Sequence, residues 1–188
     1  MIEDQIRAEA RKVFEKHELK IVENTDHIQM FICRKPNDST FAFQVVCANN
    51  MVCLTGDIYS MLVEPGYGRN GTMFLRGSIN SEGYFLGKIR LGRDDHTKYS
   101  VEEAQRIIDN EREQYKDSPE VLDQLDDILI GDEGKYGEFK FYESWYDAGL
   151  DECPNPKVLT AQTIYQLEGL KWLANKLDEI NFEIGVTK

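Results

Sequence analysis

The sequence predicts an α+β fold, with a small antiparallel β-meander of three or more strands between an N-terminal helix and a helical C-terminal half. Apolar residues recur at helical spacing in residues 3–18 and alternate with a period of two in residues 27–56. Helical spacing and capping signals return after residue 100. We expect an α+β domain over residues 1–99, on which a helical part, residues 100–188, packs as one structural unit.

The strands are expected at residues 27–34, 40–48 and 51–56. Asn49-Asn50 is a plausible two-residue hairpin turn, because Asn tolerates positive φ better than most residues. This turn places Val46 opposite Cys53 and Cys47 opposite Val52. Cross-strand partners share a face, so Cys47 and Cys53 are expected on opposite faces of the sheet, which disfavours a disulfide or a shared metal between them. The more apolar face comprises Phe41, Phe43, Val45, Cys47, Val52 and Leu54.

Helices are expected through most of the remaining chain. Residues 57–63 suggest a helical turn, and residues 78–90 a short helix. Ser100 with Glu103 forms a capping box that opens a helix to about residue 114. Ser118-Pro119-Glu120 opens another, because proline suits the first helical position. Residues 138–148 and 160–180 complete the set, after a glycine-rich break at 131–137.

The negative charge of the chain lies in one segment. Residues 101–152 carry 17 Asp and Glu against 5 Lys and Arg, a net charge of −12, which equals the formal charge of the whole protein. A local acidic block indicates an interaction surface, whereas acidity spread evenly would indicate only solubility.

The most regular part of this block is the helix after Ser118, whose expected core residues are Val121, Leu122, Leu125, Ile128 and Leu129. On the opposite side, helical spacing gathers a stripe of carboxylates that the following residues extend. The candidate partner-binding residues are Glu120, Asp123, Asp126, Asp127, Asp132, Glu133 and Glu138. A solvated helix face and a partner-binding surface both fit this pattern. A divalent cation site fits poorly, because Asp-x-x-Asp-Asp lacks the alternation of an EF-hand loop.

Several function classes are disfavoured. We identify no catalytic residues, no metal site and no cofactor motif, because no histidine pair, nucleophile elbow or phosphate-binding GK[ST] loop occurs. Direct nucleic-acid binding conflicts with the net charge, since phosphates require clustered Lys and Arg. No long apolar run and no secretory signal are present, so the expected location is the cytoplasm, where the four cysteines would be free thiols.

A second reading is a small-ligand site. Asp57 follows a strand end, and Tyr67, Arg69 and Arg76 belong to a glycine-rich, locally basic stretch. These four residues are candidates for binding a nucleotide signal. The basic stretch, residues 69–98, could instead form ion pairs with the acidic block, within one molecule or between the subunits of a homodimer. A third reading, a metal-dependent nuclease, would use Asp57 with Asp94 and Asp95.

Residues 35–46 (KPNDSTFAFQVV) and 51–58 (MVCLTGDI) resemble a family of uncharacterised bacteriophage and prophage proteins with the pattern KPGT…F.V…pG.i.l.GD.g.M. Met61 matches the final Met, and residues 84–88 (YFLGK) resemble a later YF-x-x-K element. The resemblance covers about a third of the chain and departs from the family at Asn49-Asn50, where Pro-Gly is usual. It implies a phage setting and transfers no catalytic residue.

Small acidic phage proteins without catalytic motifs are often inhibitors of host systems, including anti-CRISPR proteins whose carboxylates imitate a phosphate backbone. By this analogy, the leading hypothesis is a phage-encoded counter-defence protein in the cytoplasm of a bacterial host. Its partner would be a host protein or ribonucleoprotein complex that handles nucleic acid, bound through the acidic surface.

Overall fold

Antiparallel strands in the first half of the chain form the main sheet. The computed structural model describes residues 2–91, 96–150 and 152–185. After helix α1 (Ile2–Phe14) come six strands, β1 (Glu18–Asn24), β2 (Ile28–Lys35), β3 (Asp38–Ala48), β4 (Met51–Gly56), β5 (Met61–Val63) and β6 (Ile89–Leu91). They neighbour one another in chain order, which makes the sheet a meander. The predicted α+β class is confirmed.

Helices α2 (Gly71–Ser78) and α3 (Glu82–Leu86) lie between β5 and β6 in the chain. The later elements are β7 (Thr97–Tyr99), α4 (Val101–Gln114), α5 (Pro119–Asp126), α6 (Lys135–Asp147), β8 (Lys157–Leu159) and α7 (Ala161–Glu179). No helix in the described ranges is both long enough and apolar enough to cross a membrane.

The chain forms two compact units. Unit 1 comprises Met1–His96 and Ala161–Lys188, and unit 2 comprises Thr97–Thr160. The first boundary falls close to the expected one at residue 99. Helix α7, however, belongs to the unit that contains the main sheet, whereas the division at residue 100 grouped it with the helices before it.

The β3–β4 hairpin has the predicted register. Val46 pairs with Cys53 and Cys47 with Val52, and Asn50 in the turn adopts the positive φ of 61°. Of the expected core face, Phe43, Val45, Cys47, Val52 and Leu54 are buried, and Phe41 is half-buried. The alternation of the sequence therefore identifies the core side of this hairpin.

Helices α1 and α7 pack closely against the sheet at Gly169. The rings of Phe14 and Phe43 meet edge to face with centroids 5.5 Å apart. A Cβ at Gly169 would lie 3.2 Å from both Phe14 Cζ and Ile58 Cδ1. The missing side chain thus lets α7 approach α1 and the sheet.

An ionic network around the buried carboxylate of Glu168 joins α1, α3 and α7. The carboxylate of Glu168, whose side chain is 3% exposed, accepts hydrogen bonds from Arg7 (2.8 Å) and Arg11 (2.7 Å). Glu82 accepts from Arg7 (2.8 Å) and Lys171 (2.5 Å). Burial alone would raise the pKa of Glu168, but the hydrogen bonds from Arg11 and Arg7 outweigh it, so its pKa is lowered.

Two local expectations were wrong. Residues 61–63 form strand β5 rather than part of a helical turn, and residues 78–90 contain α3 and β6 rather than one helix. In both cases pairing between β5 and its neighbours β4 and β6 supplies hydrogen bonds that local periodicity does not reveal. Strand β1 was not among the expected strands, because most of its side chains are exposed and show no alternation.

Two glycines of α2 provide a matched test of packing. Asn70 caps this helix by accepting hydrogen bonds from the Thr72 and Met73 amides. A Cβ at Gly71 would collide with the carbonyl oxygen of Met51, whereas a Cβ at Gly77 meets nothing within 4 Å. We expect Gly71→Ala to lower the free energy of unfolding by about 1–3 kcal/mol through this collision. Gly77→Ala should raise it by up to about 1 kcal/mol through helix propensity. Urea denaturation measures both, and equal effects of the two substitutions would contradict the proposed packing.

Acidification should weaken the ionic network. Because the pKa of Glu168 is lower in the folded than in the unfolded state, its contribution to stability is present above the unfolded value of about 4.3. That contribution is lost as the pH falls through the folded value. Glu168→Gln should lower the free energy of unfolding by about 2–3 kcal/mol at pH 7, because it replaces charge-assisted hydrogen bonds from Arg7 and Arg11 with weaker neutral ones.

The difference between Glu168→Gln and the unmodified protein should shrink at pH 3, because below the unfolded pKa the protonation of Glu168 favours the unfolded state. The control is Glu179→Gln, which removes the exposed pair with Lys176 and should change stability little. A constant difference between pH 7 and pH 3 would show that charge is not what Glu168 contributes.

Candidate acidic binding surface

Unit 2 is built around its own hydrophobic core. Strands β7 and β8 pair antiparallel, which brings its two ends together. Ser100 caps α4 as predicted, because its Oγ accepts a hydrogen bond from the Glu103 amide (3.2 Å). The buried residues are Tyr99, Ala104, Ile107, Ile108, Leu125, Ile128, Phe141 and Trp145. This core fixes which sides of α4, α5 and α6 face solvent.

Helix α5 carries the predicted carboxylate stripe. It begins at Pro119 and turns Leu125 inward, with Val121 and Leu122 half-buried. The carboxylates expected on the other side, Glu120, Asp123, Asp126 and Asp127, are all exposed. Asp127 caps the end of the helix.

Three of these carboxylates share one side of α5. Glu120, Asp123 and Asp127 follow one another at intervals of three and four residues, which places neighbours about 5–6 Å apart. Within the described ranges none of the three takes part in an ion pair. We call them the α5 stripe. Their negative charge is therefore free to attract an external cation.

Asp126 is held differently, because its carboxylate pairs with Arg112 of α4 at 2.5 Å. The expectation that Leu129 belongs to the core was wrong, since its side chain is 58% exposed. Helix α5 ends at Asp126, so the helical period no longer applies at residue 129. The Leu129 amide instead donates a hydrogen bond to Ser144 Oγ of α6 (2.9 Å).

Two glycines position the acidic loop between α5 and α6. A Cβ at Gly131 would lie 2.6 Å from the Cα of Gly137, and a Cβ at Gly137 would collide with the carbonyl oxygen of Asp132. The loop therefore folds back onto the first turn of α6, which begins at Lys135, three residues before its expected start. Asp132 and Glu133, both exposed, lie in this loop, and Glu133 is 3.9 Å from Lys98.

Glu138 differs from the other predicted partner-binding residues because it is half-buried. Its carboxylate pairs with Lys157 of β8 at 2.6 Å. This pair links α6 to the strand that closes unit 2. Glu138 therefore contributes to the internal structure of unit 2 and is less available to a partner than the α5 stripe.

The residues of the predicted ligand site are dispersed. The Asp57 amide donates to Ala42 O at one end of β4, while the Asn50 amide donates to Arg69 O at the other end. The six residues of β4 lie between Asn50 and Asp57, so the two ends are roughly 23 Å apart. Tyr67 is fully exposed, and Arg76 pairs with Asp178 of α7 at 2.5 Å. The structure does not assemble a pocket from these four residues.

The described cations of the predicted basic stretch contact residues of the unit to which each belongs, and Lys98, in unit 2, pairs with Glu133 of the acidic block. Besides the pairs of Arg76 and Lys98, Arg90 pairs with Glu64 at 2.9 Å. Lys88 lies over the ring of Tyr84, 5.3 Å from its centroid. Asp94 and Asp95, proposed for a nuclease site, lie outside the described residues. In the described part of the chain no group of three His, Cys, Asp or Glu residues could hold a metal ion.

All four cysteines are free. Burial raises the pKa of the Cys47 thiol to about 12 and that of Cys153 to about 11. Burial also raises the pKa of Cys33. These thiols stay protonated near neutral pH, which disfavours a nucleophilic role.

Sequence reasoning overlooked a row of exposed aromatic side chains on α6. Tyr136, Phe139 and Tyr146 are more than half exposed, although Phe141 and Trp145 of the same helix are buried. The sequence does contain a signal for this row. The three residues are three and then seven positions apart, and both intervals return to the same side of a helix. We call Tyr136, Phe139 and Tyr146 the α6 aromatic face.

The chain matches none of the protein-family models, curated proteins or solved structures with which it was compared. The resemblance to phage proteins therefore stays a prediction.

The glycine contact beneath the acidic loop can be tested by Gly137→Ala. The added Cβ collides with the Asp132 carbonyl, so we expect a loss of about 1–3 kcal/mol despite the better helix propensity of alanine. The amide NMR signals of Asp132 and Glu133 should shift. Gly83→Ala in α3, where a Cβ meets nothing within 4 Å, is the control. A Gly137→Ala protein more stable than the unmodified one would contradict the close approach.

Proposed function

We propose that the protein is a phage-encoded counter-defence protein, which inhibits a host nucleic-acid-handling complex by binding its basic surface through the carboxylates of unit 2. The supporting observation is that the charge is separated between the two units. Residues 97–160 carry 17 acidic and 7 basic residues, a net charge of −10, while the rest of the chain carries −2. A compact unit of one sign attracts a partner of the opposite sign.

The carboxylates of unit 2 differ in their availability. Arg106, Arg112, Lys116 and Lys157 are already paired with acids of the same unit. The α5 stripe has no such pair within the described residues, so its carboxylates can receive the Lys and Arg side chains of a partner. Ion pairs that form only in the complex add to affinity and speed association.

The arrangement of the α5 stripe as a row of carboxylates supports mimicry of a nucleic acid. One strand of DNA presents a phosphate every 3.4 Å along the helix axis. On an α-helix, carboxylates three and four residues apart are separated by about 4.5–6 Å along the axis. A surface that binds phosphates through clustered Lys and Arg would therefore find a row of negative charges on α5, at intervals about one and a half times those of the phosphates. Inhibition would follow from occupation of the nucleic-acid site, with no catalytic step.

The phage setting rests on the resemblance of the hairpin sequence and of residues 84–88. The acidic unit supports the mechanism of inhibition, and the resemblance supports the biological setting. The two supports are independent, so either part of the proposal can fail without the other.

The test is a competition assay with purified host effector complexes of nucleic-acid-targeting immunity, measuring how much DNA duplex remains bound. We expect the protein to lower DNA binding, and its inhibition to weaken at least about tenfold between 50 and 200 mM salt. The variant Glu120→Lys, Asp123→Lys, Asp127→Lys should abolish inhibition, because it reverses the unpaired charges and leaves the Asp126–Arg112 pair intact.

The matched control is Glu15→Lys, Glu18→Lys, Glu23→Lys, which changes the net charge equally at exposed residues of unit 1. It should inhibit like the unmodified protein. Full inhibition by the α5 variant, or equal losses in both variants, would refute binding through the stripe.

A further inference from the structure

The α6 aromatic face has no structural role in the core of unit 2. Tyr136, Phe139 and Tyr146 are 71%, 59% and 62% exposed. The opposite side of the same helix supplies the buried residues Phe141 and Trp145. Isolated exposed apolar residues are normal on a protein surface, but several on one side of one helix are typical of an interaction surface.

Helix geometry brings the three rings together. At 100° per residue, positions 136, 139, 143 and 146 fall within an arc of roughly 80°. The face is thus a continuous strip along α6, with Glu143 between Phe139 and Tyr146. Tyrosine and phenylalanine are frequent at the energetic centres of interfaces, because they bury a large area with few rotatable bonds.

The charges around this strip are mostly negative. Glu143 and Asp147 are exposed on the same side of α6, and Asp132 and Glu133 precede the helix in the acidic loop. Lys140 lies over the ring of Tyr136, with its Nζ 4.7 Å from the ring centroid. This contact between Lys140 and Tyr136 is of the kind that a cation of a partner would make with the rings of Phe139 and Tyr146.

We infer that the α6 aromatic face docks an arginine-rich segment of a protein partner. Guanidinium groups stack on aromatic rings and pair with carboxylates, and this strip offers three rings with the carboxylate of Glu143 between two of them. This inference rests on the proposed function, because it names the chemistry of the partner that unit 2 binds.

Charge disfavours the other occupants. Nucleic acid could stack bases on the rings, but such binding needs a positively charged groove. An anionic lipid surface would be repelled for the same reason. A second copy of the chain would place two negative strips against each other, which costs energy. An arginine-rich protein segment gains from the rings and the carboxylates together.

The test uses three peptides of nine residues each, composed of arginine, lysine or glutamate, with affinities measured by isothermal titration calorimetry. We expect the arginine peptide to bind several-fold more tightly than the lysine peptide, because guanidinium stacks better, and the glutamate peptide not to bind. Phe139→Ala, Tyr146→Ala should weaken arginine-peptide binding at least about tenfold. Its urea midpoint should match that of the unmodified protein, since both side chains are exposed.

The control is Tyr59→Ala, Tyr67→Ala, which removes two exposed aromatic residues of unit 1 and should leave peptide binding unchanged. Equal binding of arginine and lysine peptides with no effect of the α6 variant would overturn the inference. Two further results would overturn the inference: binding of single-stranded oligothymidine that the α6 variant abolishes, or a dimer in sedimentation velocity that the α6 variant abolishes.

The same variants separate this inference from the proposed function in the DNA competition assay. If the α5 variant abolishes inhibition while the α6 variant inhibits fully and binds the arginine peptide normally, the inference fails and the proposed function stands. If the α6 variant loses peptide binding and no effector complex is inhibited by the unmodified protein, the inference stands and the proposed function fails.

Discussion

The buried carboxylate of Glu168 is the interaction on which the arrangement of the chain depends. It receives hydrogen bonds from Arg7 and Arg11 of α1, and Arg7 in turn binds Glu82 of α3. A buried charge is tolerated only when it is paired, so α7 must pack beside α1 although about 150 residues separate them in the sequence. Residues 97–160 form unit 2 and lie in the sequence between the two segments of unit 1. The pairing of β7 with β8 brings the two ends of unit 2 together.

This topology places most of the surplus negative charge in one of the two units. Unit 1 is nearly neutral and contains the balanced ionic network, whereas unit 2 holds almost all the surplus negative charge around a separate core. Repulsion between like charges on one surface lowers the free energy of unfolding. Here that repulsion acts mainly in unit 2, which has its own hydrophobic core. Within unit 2 some acids, such as Asp126 and Glu138, are paired internally, whereas those of the α5 stripe have no ion pair among the described residues.

Much of the fold followed from local patterns. The register of the β3–β4 hairpin, the cap at Ser100 and the inward side of α5 were predicted, because each depends on residues close together in the sequence. Strands β5 and β6 were not, because three-residue strands are specified by their partners rather than by their own periodicity. For the site, exposure of the α5 carboxylates was predicted. The pairing of Asp126 with Arg112 was not, because it joins two helices.

The sequence by itself determined the fold class, the charged segment and the side of α5 on which its carboxylates lie, because period and composition are local properties. Tertiary structure decided which of those carboxylates remain unpaired and which aromatic residues of α6 remain exposed. Both outcomes depend on which helix packs against which, and that choice is made by burial and ion pairing between residues far apart in the chain. The acidic block is a property of the sequence, whereas the α5 stripe and the α6 aromatic face are properties of the folded unit.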